Sequence, residues 1–356
     1  MSLRARPNPR EDTVRHHATR SLRILAVLLA LLVAAASPRA ACAQDKPKAD
    51  QGQDGKAGDK GEEPDEEPDK KADDKKDDDD NKPPKEVTDK AYRKLQAANR
   101  LARVDVKKAE KFALEALEIY PDYEQARTFL GWLYNVRLGD YDKAMEQYDY
   151  LIRKTKNRKI RADALANKAT LTFIAKRDFE AAIELYKTAG NVLRSWRYAD
   201  QASNLHFHIS NFDKAEHNAR LALKRLEGYI KRTEKNRAVK PEMRRQRLES
   251  AKVNLIKVKV HLAACCAANG KDAESKKLIE SCDEFPRAVK YNLALLRAVQ
   301  KSRTGVINCL VDYMKTRDTP KARNLLRKFI LEEPVFRKWH QDKDFKKITK
   351  NEPEKD

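Results

Sequence analysis

Glycine and proline are scarce. The 356-residue chain has 10 Gly and 14 Pro, and residues 88–356 hold six of each. Folds made of short strands and tight turns need such residues at close intervals, so a β-sandwich, a β-barrel and a collagen-like repeat are all excluded for this part. Cysteine is equally sparse. Five are present, too few for a disulfide scaffold, and none stands in the Cys-x-x-Cys spacing of a zinc site. Only one long apolar run occurs, which excludes a polytopic membrane protein. Phosphate-binding, dinucleotide-binding and zinc-protease motifs are missing too.

Charge is abundant. Lys, Arg, Asp and Glu make up 37% of the residues, and the formal net charge is +21. The apolar run is Ile24–Ala36, set between Arg23 and Arg39, and its uncharged stretch of 15 residues is short for a bilayer crossing. With Arg15, Arg20 and Arg23 before it and Ala41-Cys42-Ala43 after it, residues 1–43 read as a secretory signal peptide cleaved after Ala43, which leaves no transmembrane span. An uncleaved anchor and lipidation of Cys42 are the alternatives. Arg39 stands where a lipobox wants an aliphatic residue. Residues 44–87 are polar, carry a net charge of −7 and read as a disordered linker. The remainder, 88–356, has 59 Lys/Arg against 36 Asp/Glu, a net charge of +23. The acidic linker is a solubilising spacer or a weak competitor for the basic surface.

A short string recurs along this basic body. Gly139-Asp-Tyr-Asp-Lys-Ala144 is echoed by Arg177-Asp-Phe-Glu-Ala-Ala182, Ser210-Asn-Phe-Asp-Lys-Ala215 and Val104-Asp-Val-Lys-Lys-Ala109. Weaker echoes are Gly270-Lys-Asp-Ala-Glu-Ser275 and Asp318-Thr-Pro-Lys-Ala322. The closing positions 109, 144, 182, 215, 275 and 322 lie 35, 38, 33, 60 and 47 residues apart. With Leu130-Gly131, Tyr134, Tyr148 and Leu151 around the second string, the pattern resembles the tetratricopeptide repeat family over roughly residues 88–335. The resemblance implies an all-α fold, an α-solenoid of stacked antiparallel helix pairs in about six units. The residues agree: apolar stripes at helical spacing occur, as in Phe112 to Ile119, and small residues such as Gly131 and Ala144 fall where paired helices cross. Residues 336–356, with Phe336, Trp339, Phe345 and Ile348, read as a capping helix and tail.

The 60-residue interval departs from the family pattern. It predicts two lengthened helices meeting near Ala238–Pro241, an arm projecting from the stack. Between Lys224 and Lys259 it carries 13 Lys/Arg and four Glu; Lys231, Arg232, Lys235, Arg237, Arg244, Arg245 and Arg247 are its candidate binding residues. Such a surface suits an anionic polymer or acidic headgroups. It is also what two solvated helices look like, since Lys and Arg are good helix formers. Nucleic acid is disfavoured by the export signal and by the lack of stacking aromatics, Tyr229 being the arm's only one.

His206 and His208 are two apart on one helix, so they point to different faces and share no metal. No metal or cofactor is expected. Cys265, Cys266, Cys282 and Cys309 read as buried small hydrophobes, with a Cys266–Cys282 disulfide as the oxidised alternative. The family resemblance implies a concave face lined by the first helix of each unit, where peptides or protein tails lie. Carried onto this sequence, the lining is Gln125, Thr128, Trp132 and Asn135, then Asn167, then Arg197, Asp200, Asn204 and His208, then Lys257. Asp200 stands where the family's carboxylate-clamping lysine belongs, so carboxylate capture is not expected. The expectation is an exported, non-enzymatic scaffold for a protein or peptide partner. The alternative is an electrostatic binder of anionic envelope polymer or membrane surface, acting through the arm at 224–259.

Overall fold

A computed structural model describes residues 84–316 and 320–353, so the signal-peptide expectation and nearly all of the linker lie outside the described residues. The described chain is helical and contains no strand. The first helix, α1, spans Lys85–Leu101, so the last residues assigned to the linker already belong to it. There follow α2 (Val106–Ile119), α3 (Glu124–Trp132), α4 (Tyr141–Lys154), α5 (Arg158–Ala175), α6 (Phe179–Val192) and α7 (Trp196–His208). Two long helices come next, α8 (Phe212–Lys235) and α9 (Pro241–Ala268). The chain closes with α10 (Asp272–Glu280), α11 (Lys290–Val299), α12 (Arg303–Met314), α13 (Pro320–Glu332), a 3-10 turn at Pro334–Trp339 and α14 (Lys343–Thr349). From α1 to α10 each helix packs on the next in sequence, and α9 also packs on α11. No described helix is long and apolar enough to cross a membrane.

The recurring string is a helix-to-helix turn. Its first residue sits in the left-handed region at Gly139, Arg177, Ser210 and Gly270, with φ of 67°, 58°, 61° and 74°. That conformation ends a helix by turning its last amides back onto free carbonyls. The amide of Asn211 donates to His206 O at 2.8 Å, and that of Lys271 to Cys266 O at 2.8 Å. The next residue caps the following helix: Asp105, Asp140, Asp178 and Asn211 each accept an amide of its first turn. The closing residue, four further on, is buried without exception at Ala109, Ala144, Ala182, Ala215 and Ser275.

A sixth copy of this geometry was not legible as one. Lys301 has φ 58°, Ser302 donates its amide to Arg297 O at 2.9 Å, and Val306 is fully buried. The expected last turn at Asp318–Ala322 is a separate one, reaching into the start of α13 (Pro320–Glu332). Residues 317–319 are outside the described set, and the turn that continues the series lies at 301–306, 31 residues after the fifth. Serine at the cap and valine at the small-residue position hid it.

The core is a row of local clusters in chain order. One gathers residues from Leu95 to Leu171, a second from Ala162 to Leu205, and the largest from Phe207 to Phe345. Small side chains set the spacing. The face of Tyr148 lies directly over Gly131, with no room for a methyl group between them. Residues Leu133–Leu138 then form a π-helical turn before Gly139. The expected lengthened helices are present: α8 and α9 pack together through Ala222, Leu226, Ala251 and Val258, and turn at 236–240. The expected capping helix is shorter than read. Asp342 accepts the amides of Asp344 and Phe345, breaking 336–349 into a turn and α14, while Phe336 and Phe345 remain fully buried.

Candidate binding groove

The residues assigned to a concave lining fall on α3, α5, α7 and α9, the first helices of successive pairs, except Asn135, which lies in the π-helical turn after α3. Gln125, Thr128 and Trp132 share one stripe of α3; the first two are exposed and Trp132 is half-buried, tilted against Phe129. Asn167 on α5 is half-buried, and Arg197 at the start of α7 is exposed. Asn204 is half-buried and donates to Asp200 O at 2.6 Å.

Three further residues are already engaged. Asp200 is 2% exposed and its carboxylate receives Lys257 Nζ at 3.4 Å. These two lining residues therefore close on each other across α7 and α9. His208 Nδ1 lies 3.2 Å from the buried carboxylate of Glu333, which also accepts the Tyr291 hydroxyl at 3.3 Å. The chain's own C-terminal segment thus sits on the His208 end of the strip, and Arg177 pairs there with Glu332 at 3.6 Å. Asn135 is corrected outright. It is 6% exposed and lies against the Tyr148 hydroxyl, because it falls in the π-helical turn and faces the core.

One residue of the strip was missed. Asp163, one turn before Asn167 on α5, accepts the Tyr198 hydroxyl at 2.9 Å and links α5 to α7. Its spacing of four from Asn167 was the available signal.

Behind this face lies a buried polar cluster. Ser203 Oγ donates to Ala215 O at 2.6 Å and meets His261 Nε2 at 3.0 Å. With the hydroxyl proton committed, the imidazole donates from Nε2 and is neutral. Burial holds its pKa down at about 4. Cys265 is 3.8 Å from the same nitrogen, and burial pushes its thiol far above the ordinary range. All of these side chains are closed off from solvent, so the Ser–His–Cys grouping has no access for a substrate.

A second cluster ties α8, α9 and α10. Glu216 accepts from Lys271, Asn269 and Arg220, and Arg220 continues to Glu274 at 2.7 Å. Burial raises the Glu216 pKa, but these hydrogen bonds outweigh it and hold the carboxyl at about 2. Glu216, Cys266 and Glu274 place ligand atoms within 4.8 Å of one another, and no other such trio occurs among the described residues. Both carboxylates already neutralise Arg220, so an incoming cation competes with a fixed one. The four described cysteines are free thiols, and the Cys266–Cys282 disulfide is not formed.

The arm residues are mostly open. Lys231, Arg232, Lys235, Arg237, Arg245 and Arg247 are exposed; Arg244 is half-buried and donates to Asn236 O at 3.1 Å. No protein-family model matches the chain, and no curated protein matches it significantly.

Proposed function

We propose that this chain is an exported, non-catalytic scaffold. In this reading its helix pairs stack as a tetratricopeptide-like superhelix, and the α3–α5–α7–α9 face is a concave groove for a protein or peptide. The reading rests on one observation above all: side chains from the first helices of neighbouring pairs meet along that face, at Asp163–Tyr198 and at Asp200–Lys257. The six repeated helix-to-helix turns, spaced 31 to 60 residues apart and four of them with a side-chain cap, support a stack.

The groove offers Gln125, Thr128, Trp132, Asn167, Arg197 and Asn204 to a ligand, because Asn135, Asp200, Lys257 and His208 are occupied within the chain. A partner segment then runs over α3, α5 and the start of α7. Gln125 and Asn167 carry both a donor and an acceptor, the complement of an extended peptide backbone. Trp132 gives an apolar rim. Helices held by their own caps and cores do not reorganise on binding, so little ordering entropy is lost.

The test is affinity capture from an envelope extract of the source, eluted by stepwise salt, with wild type and the Trp132→Ala/Asn167→Ala variant in parallel. A discrete protein retained at high salt by the wild type and lost from the variant supports the groove. Identical retention by both refutes it.

A further inference from the structure

The tip of the α8–α9 arm carries chemistry that the groove does not use. Between Lys231 and Arg247 stand eight Lys/Arg and two Glu. Lys231, Lys235, Arg237, Lys240 and Arg247 are exposed, and their side chains make no hydrogen bond or ion pair among the described residues. All residues from 234 to 250 are exposed except Val239, Arg244 and Leu248, which are half-buried, so the tip stands clear of the packed body.

Charge is not its only property. Met243 is 40% exposed, one of few large apolar side chains so open among the described residues. Helical spacing places Lys240 and Arg247 on either side of it at i−3 and i+4. Beside it Lys235, Arg237, Val239, Pro241 and Arg244, with Glu234, line an open hollow of about 640 Å³. An apolar centre ringed by long cationic side chains is matched to an interface, not to bulk water. The methylene stems and Met243 enter the apolar boundary while the charged heads stay at phosphate level.

We propose that this tip docks on the surface of a bilayer containing anionic phospholipid. Lys235, Arg237, Lys240 and Arg247 meet the headgroup phosphates, and Met243, Val239 and Pro241 enter the headgroup boundary. A soluble polyanion would leave the exposed methionine unused. A single strand of nucleic acid would want stacking aromatics, and Tyr229, the arm's only aromatic, is half-buried away from the tip. This docking is independent of the groove: either could hold without the other.

The test is hydrogen–deuterium exchange of the full chain, titrated with phosphatidylglycerol-containing vesicles, with pure phosphatidylcholine vesicles and with duplex DNA. A local readout is needed because the apolar run Ile24–Ala36 can itself partition into vesicles. The expected result is slowed exchange over 236–247 with phosphatidylglycerol vesicles alone. Lys235→Ala/Arg237→Ala/Lys240→Ala should move that titration by about 100-fold, at roughly fivefold per charge. Met243→Ser should move it by about threefold or more. These side chains are exposed, so the variants keep the fold. Unchanged exchange at the tip, equal slowing by phosphatidylcholine, indifference to Met243→Ser, or slowing by DNA where vesicles give none would each overturn the proposal.

Discussion

Gly131→Ala tests how the helix pairs are spaced. A methyl group built at Gly131 would lie 2.6 Å from Tyr148 Cε1, 3.0 Å from Cζ and 3.1 Å from Cδ1. Ordinary contact begins near 3.4 Å, so ring or helix must move by about 0.8 Å. Tyr148 is 2% exposed and held by the Leu95–Leu171 cluster, so the ring cannot swing into water. Overpacking of this kind costs about 1–3 kcal/mol. Alanine recovers about 1 kcal/mol of helix propensity. The net expectation is a loss of up to about 2 kcal/mol and a fall in Tm of up to about 8 °C. Differential scanning calorimetry reads this directly. The cost should persist in a Tyr148→Phe background, where the ring remains, and shrink in Tyr148→Leu. A rise in Tm on Gly131→Ala, or an equal cost in the leucine background, would refute the close crossing.

Other substitutions probe the turns and the buried charges. Ser210 holds a left-handed φ of 61° without being glycine, so Ser210→Gly should stabilise by about 0.5–1 kcal/mol, while Gly270→Ala, with open space around it at φ 74°, should cost about 1 kcal/mol; urea midpoints decide both. Lys257→Met strands the buried Asp200 carboxylate and should cost about 2–4 kcal/mol, with Asp200→Asn restoring most of it. His261 is held near pKa 4 when folded, below the ordinary 6.5, so the unfolded chain takes the proton first and stability falls as pH drops from 6.5 towards 4. The loss should reach about 2 kcal/mol by pH 5 and be absent in His261→Gln. Glu216 adds a second loss at lower pH, between 4.5 and 2, softened to roughly 1–2 kcal/mol by its half-exposed partners. A urea midpoint flat from pH 7 to 5 would contradict a neutral buried imidazole.

Much of the fold was legible because one device repeats. An αL turn residue, an Asp or Asn cap and a small residue four positions on leave a visible string, complete at the turns before α4, α6 and α8 and partial at those before α2 and α10, and that string located all five. It failed at 301–306, where the left-handed residue is Lys301, the buried position is Val306, and Ser302 stands at the cap position without a side-chain cap bond. The arm was legible because Leu221–Val260 stays helical past the expected turn. The strip was read less well. Side-chain direction was inferred from regular α-helical spacing, and the π-helical turn at 133–138 breaks that spacing and buries Asn135. Long-range partners leave no local trace either. Nothing near His208 in sequence announces Glu333, 125 residues away.

The most direct measurement is site-specific photo-crosslinking in the envelope of the source. A photoreactive phenylalanine analogue is placed at exposed Gln125 on α3 and, in a separate chain, at exposed Glu118 on α2. The expected result is a discrete cross-linked protein from Gln125 and none from Glu118. Equal cross-linking from both, or none from Gln125, would contradict a partner held in the groove.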